Sequence, residues 1–140
     1  MTPRNCELIR NSFPKLAGVA APAAALFFRR LFAIDPTARR LFAATDLEAQ
    51  GARLMATLGF VVGSIDRPDR LRPAIRALAA RHASRGVRPD HYLAVGEALL
   101  WTLERGLGPD FDADLRVAWT DAYLMLVSML TEHSAYPMAA

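Results

Sequence analysis

Apolar residues recur at steps of three and four along most of this 140-residue chain, and no segment alternates them with polar residues for long. A three-four rhythm gathers apolar side chains on one stripe of a helix, whereas a half-buried strand needs a period of two. Asn-Gly and Asp-Gly hairpin signals are also missing. The chain therefore reads as all-α, with six or seven helices around one core. Its length suits a single domain over residues 1–140. Pro22, Pro36, Pro68, Pro73, Pro89 and the stretch from Gly106 to Pro109 mark the breaks.

Between these marks the pattern predicts a first helix from about Arg4 to Gly18, with Leu8, Ile9, Phe13 and Leu16 inward. A second starts near Pro22 and carries Ala25, Leu26, Phe28, Leu31 and Phe32. Asp35-Pro36-Thr37 opens a short third helix ending at Leu41-Phe42. A long helix follows from about Asp46 to Ile65, with Leu47, Gln50, Leu54, Leu58, Val61, Val62 and Ile65 on one face. On the next, Leu71, Ile75, Leu78, Ala79 and His82 share a face, and Gly86 suits its C-terminus. Pro89-Asp90 starts a helix to about Gly106. Phe111 or Asp112 opens the last, with Leu115, Trp119, Ala122, Leu126 and Leu130 inward.

Composition excludes several classes. The net charge of +3 is spread along the chain, Lys15 is the only lysine, and no basic block exceeds two residues, so nucleic acid is not an expected partner. Cys6 is the sole cysteine, which rules out an internal disulfide. The first sixteen residues lack the apolar core of a signal peptide, and no run of about 18 apolar residues suggests a membrane span. The expected location is the cytoplasm. There is no Cys-x-x-Cys, His-Glu-x-x-His, calcium loop, phosphate loop or nucleophile elbow. Asp110, Asp112 and Asp114 alternate at a helix start, where capping accounts for them.

Two core-facing stripes each carry one polar residue, Gln50 and His82. Such a group costs free energy unless it finds a partner, and two on neighbouring helices could flank one ligand. On spacing alone, a histidine on an apolar face is more often a satisfied core residue than a ligand.

The stretch Leu78–Gly108, LAARHASRGVRPDHYLAVGEALLWTLERGLG, resembles a part of the bacterial globins: proximal histidine, following turn and next helix. It is most similar to the globin domain of flavohaemoglobins and to single-domain bacterial haemoglobins. Histidine, then Gly-Val-x-Pro, then His-Tyr-x-x-Val-Gly, carries the likeness. LFFRRLFAIDPTARRLF, Leu26–Phe42, and AWTDAYLMLVSML, Ala118–Leu130, extend it to most of the chain. The resemblance implies a globin fold, six to eight helices around a haem pocket, with haem b (iron protoporphyrin IX) as cofactor. It implies that His82 ligates the iron, that Gln50 faces the distal side with Leu54 one turn on, and that Phe42 wedges against haem. Tyr92 stands behind His82 in the same comparison, with Glu132 the nearest glutamate to pair with it. Arg53 and Arg85 are candidates for the haem propionates. Phe28, Leu58, Val87, Val95 and Leu99 are expected to line the pocket.

Two departures stand out. Flavohaemoglobins usually place a tyrosine where Phe28 stands, so one distal hydroxyl is missing, and no reductase or output domain is expected within these residues. The first functional expectation is reversible binding of oxygen, together with carbon monoxide and nitric oxide, for storage, delivery or scavenging. The alternative is nitric oxide dioxygenation with a separate reductase. A gas sensor and a globin-fold interaction module without haem come after these. His91 and His133 are not expected as sixth ligands.

Overall fold

The computed structural model describes residues 1–42 and 45–132. Among them are six α-helices: α1 (Pro3–Ala17), α2 (Ala20–Ile34), α3 (Leu47–Gly63), α4 (Pro68–Ser84), α5 (His91–Leu107) and α6 (Ala113–Thr131). Two 3-10 helices, Pro36–Phe42 and Gly108–Asp110, complete the described secondary structure.

Local chemistry sets the helix starts. Thr2 caps α1 by accepting from Asn5 N, and Pro3 occupies its first turn. Asp46 caps α3 through bonds from Glu48 N and Ala49 N, and Asp112 caps α6 through a bond from Leu115 N. Pro68 opens α4. The third segment, expected as a short α-helix, is instead a 3-10 helix. Asp35 accepts from Thr37 N and Thr37 Oγ1, and its own carbonyl accepts from Ala38 N, which tightens the chain to a three-residue turn.

Helix α5 runs through the interior. It buries Tyr92, Ala94, Gly96, Ala98, Leu99, Thr102, Leu103 and Leu107, and it packs against α2, α1 and α6. The α1 stripe (Ile9, Leu16) and the α6 stripe (Leu115, Ala118, Trp119, Ala122) close over it. Ala25 and Leu47 point outward instead of inward. Leu47 is the first residue of α3, where the helix has barely reached the core, and Ala25 lies across α2 from Phe27 and Leu31. No single helix among the described residues is long and apolar enough to cross a membrane.

The arrangement of α3 and α4 matters most for function. Although consecutive, they pack on different partners: α3 against α2 and α1, α4 against α6, with little contact between α3 and α4 themselves. Leu54 on α3, Leu78 and Ala79 on α4, Val87 in the turn after it, Val95 on α5 and Phe42 pack against the core cluster yet stay only half-buried.

Candidate functional site

His82 sits in the last turn of α4, and the backbone after it holds it there. Val87 N donates to His82 O at 2.9 Å and Gly86 N to Ala83 O at 3.1 Å, the paired bonds of a Schellman C-cap. Gly86 has a φ of 87°, a left-handed conformation that a side chain would strain. This turn reverses the chain and delivers Tyr92, at the start of α5, to the imidazole: His82 Nδ1 and Tyr92 Oη lie 3.0 Å apart. Tyr92 is buried and His82 half-buried. Burial, reinforced by the charges of Arg81 and Arg85, pushes the His82 pKa down to about 4, so the imidazole is neutral at neutral pH. Its other ring nitrogen, Nε2, has no hydrogen-bond partner among the described residues. A neutral imidazole with one nitrogen engaged and a lone pair on the other suits a metal ligand.

Tyr92 is itself held by Tyr123, a residue the sequence reading did not single out. Tyr123 Oη donates to the Tyr92 carbonyl at 2.6 Å. Its ring lies over Gly96, where an added Cβ would come within 2.6 Å of the ring edge. Burial pushes the Tyr123 phenol well above its ordinary range, so it stays a donor. The visible signal was a glycine one turn after Tyr92 and an aromatic on α6, but only packing pairs them.

On the other side, Gln50 is half-buried in the first turns of α3. Arg53 Nη1 donates to Gln50 Oε1 at 3.4 Å, which occupies the carbonyl end and leaves the amide N–H groups to donate elsewhere. Gly51 sets the depth of α3, since a Cβ there would come within 2.8 Å of Ala24 Cβ. The close crossing brings α3 to Phe28, which joins an aromatic cluster with Phe27, Phe32 and Phe42; the Phe28–Phe42 centroids are 5.2 Å apart at 68°.

The remaining candidates lie on several elements. Leu58 and Leu99 are buried and line a small apolar cavity of about 10 Å³ with Ile9 and Trp119, deeper than the half-buried Leu54, Val87 and Val95. Arg53 and Arg85 are exposed, Arg85 at the C-cap of α4. The Glu132 carboxylate lies 3.4 Å from Arg72 Nε. His91 Nδ1 accepts from Arg88 N and caps the turn before α5. His133 lies outside the described residues.

These residues fit an iron porphyrin. The group is a flat apolar disc with carboxylates on one edge. Half-buried apolar side chains on weakly contacting helices, a neutral imidazole, and arginines at the surface match its face, its metal and its rim.

A Globin family profile matches residues 25–130. The chain is 28% identical to a neuroglobin from Tetraodon nigroviridis, over 94% of this chain and 91% of that protein. It is 32% identical to a flavohemoprotein from Chromobacterium violaceum, over 89% of this chain but only 31% of the relative. A solved structure of an engineered carbene transferase, from a putative nitric oxide dioxygenase of Rhodothermus marinus, superposes with a TM-score of 0.86. That match has 33% identity and covers 96% of this chain and 94% of the other.

Proposed function

Because this chain belongs to the globin family, we propose that it is a haem b protein that reversibly binds oxygen and other diatomic gases, with His82 as the iron ligand and Gln50 opposite it. The observation that carries this reading is the His82–Tyr92 pair: a neutral imidazole, fixed at Nδ1 by a buried hydroxyl 3.0 Å away, with Nε2 available to a metal.

Haem, when bound, supplies an iron site that takes oxygen, carbon monoxide or nitric oxide. The chain's residues do the rest. With Nε2 on a metal, the His82 proton would sit on Nδ1 and donate to Tyr92 Oη, which would orient the ring and make Nε2 more basic. Gln50 offers an N–H to the partial negative charge that develops on a bound gas, an interaction worth on the order of 1 kcal/mol. Phe28, buried where a hydroxyl would otherwise project, offers no second donor. Leu54, Val87 and Val95 shield the site from water. Arg53 and Arg85, both exposed, are the residues that would hold the propionates, and Arg53 also steadies the Gln50 amide.

Absorption spectra of the ferric, dithionite-reduced and carbon-monoxide-treated protein, beside His82→Ala, test this. A Soret band that shifts with carbon monoxide in the parent and is lost or altered in the variant is the expected result. A haem-reconstituted parent without a Soret band would refute the proposal.

The second reading is nitric oxide dioxygenation, in which nitric oxide, oxygen and one electron yield nitrate. It is favoured by the likeness to flavohemoproteins and to a structure described as a putative nitric oxide dioxygenase. The chain spans about a third of the flavohemoproteins it matches, and this reading requires a reductase to supply the electron. Sustained nitrate production with a reductase present, as opposed to one stoichiometric burst, separates the two readings.

A further inference from the structure

The helices that carry His82 and Tyr92 do not hold each other. α4 and α5 are joined by the turn at 85–90 and pack little against one another, whereas each of them rests on α6. The 3.0 Å spacing of His82 Nδ1 and Tyr92 Oη therefore depends on how the start of α5 is fixed to α6. At Tyr92 that link is a hydrogen bond from Tyr123, midway along α6.

Two observations give Tyr123 a role beyond filling space. Its hydroxyl donates at 2.6 Å to a carbonyl that already has a partner, since within α5 the Tyr92 carbonyl also faces the Gly96 N–H one turn on. A carbonyl oxygen has two lone pairs, and Tyr123 uses the second. Phenylalanine at position 123 would keep the ring and leave no backbone group unpaired. The hydroxyl is thus not needed to satisfy the core; it fixes the backbone of the residue that meets the imidazole. The ring, in turn, fits only because residue 96 is glycine: an added Cβ there would stand 2.6, 2.9 and 3.3 Å from three atoms of the Tyr123 ring. One side chain of α6 therefore grips the first turns of α5 at both 92 and 96.

We propose that Tyr123 is a positioning residue for the proximal side of the candidate haem site: by holding the Tyr92 backbone it keeps the Tyr92 hydroxyl against His82 Nδ1, and so tunes the imidazole that would bind iron. The consequence at iron rests on the haem reading above, whereas the effect on the His82 ring does not. Action runs from Tyr123 through Tyr92 to His82. Removing the Tyr123 hydroxyl should then matter only while the Tyr92 hydroxyl is present, which is the signature of coupled residues in a double-mutant cycle.

The test compares the full chain with Tyr123→Phe, Tyr92→Phe, the double variant and Ser12→Ala. Ser12→Ala is the control for loosening α6, because it removes the 3.0 Å bond from Trp119 Nε1 to Ser12 Oγ, which ties α6 to α1 one turn before Tyr123. The Soret band is recorded first. Nitrogen NMR of the isotope-labelled protein then follows His82 Nδ1, assigned from His82→Ala, in the carbon-monoxide form where a Soret band is present and as isolated otherwise. For haem-loaded protein, the iron–histidine stretch and the rate of haem loss are added. Tyr123→Phe should move the Nδ1 signal and the stretch part of the way toward their values in Tyr92→Phe, and speed haem loss about two- to tenfold. The double variant should match Tyr92→Phe, and Ser12→Ala should match the parent. Gly96→Ala, which displaces the ring with its hydroxyl intact, should move Nδ1 in the same direction as Tyr123→Phe. An Nδ1 signal unmoved by Tyr123→Phe, an effect that adds to that of Tyr92→Phe, or an equal shift from Ser12→Ala would overturn the proposal. A parent without a Soret band would refute the haem reading alone, and the Nδ1 signals would still decide the role of Tyr123.

Discussion

Replacing Tyr92 with Phe removes one oxygen atom from the proximal side and little else. The ring volume stays, and the bond from Tyr123 goes to the Tyr92 backbone carbonyl, so α5 keeps its anchor. The 3.0 Å contact with His82 Nδ1 disappears with that oxygen. A typical intramolecular hydrogen bond contributes about 0.5–1.5 kcal/mol, and a donor left unsatisfied in a buried setting costs about 1–3 kcal/mol. His82 is only half-buried, so water can partly replace the hydroxyl, and a loss of about 1–2 kcal/mol is expected. At about 1.4 kcal/mol per factor of ten, this corresponds to roughly 5- to 30-fold faster haem loss. It overlaps the range of about 10- to 100-fold that follows removal of a hydrogen-bond partner of a metal ligand. Two assays read it: haem transfer to an apomyoglobin acceptor, and the iron–histidine stretch of the ferrous protein by resonance Raman, which should fall as the imidazole becomes less basic. Haem loss within twofold of the parent together with an unmoved stretch would show that the Tyr92 hydroxyl does not hold His82.

Gln50→Leu should speed oxygen dissociation about fivefold, the kinetic equivalent of about 1 kcal/mol, as measured by oxygen displacement with carbon monoxide; an unchanged rate would remove the amide from the distal side. Gly96→Ala places a methyl 2.6 Å from the Tyr123 ring, and this overpacking should lower stability by about 1–3 kcal/mol in urea unfolding, with Tyr92 displaced from His82. The apoprotein should also lose stability on acidification. The His82 pKa is about 4 in the folded chain and about 6.5 in the unfolded one, so between these values the unfolded chain takes up a proton that the folded chain refuses. The His82 contribution is complete above pH 6.5 and declines toward pH 4; His82→Leu should flatten that part of the apoprotein's stability profile, and identical slopes would count against it.

Much of the site was legible because its signals are local. His82 and Gln50 stood out as polar residues on apolar stripes, and Gly86 as a helix terminator, since each depends only on residues within a turn or two. Tyr92 and Phe42 came from the family resemblance, which compares strings of residues and needs no coordinates. Tyr123 and Gly51 were not legible. Their roles depend on contacts between residues far apart in sequence, a phenol reaching the Tyr92 carbonyl and a backbone approaching Ala24, and no periodicity encodes such a pairing. Leu47 was misplaced for a related reason: the stripe rule assigns a face, but whether a terminal residue on that face meets a neighbour depends on where the next helix lies.

Caps, prolines and three-four spacing act through short-range sterics and hydrogen bonds, so the all-α class, the approximate helix ends and the candidate pair Gln50 and His82 are readable from the residues alone. Which nitrogen of His82 is engaged, and the separation of α3 from α4 with half-buried apolar faces, both depend on packing between distant segments. Those features come from side chains of distant segments packing in three dimensions, where an ångström of approach or a single hydroxyl sets the chemistry.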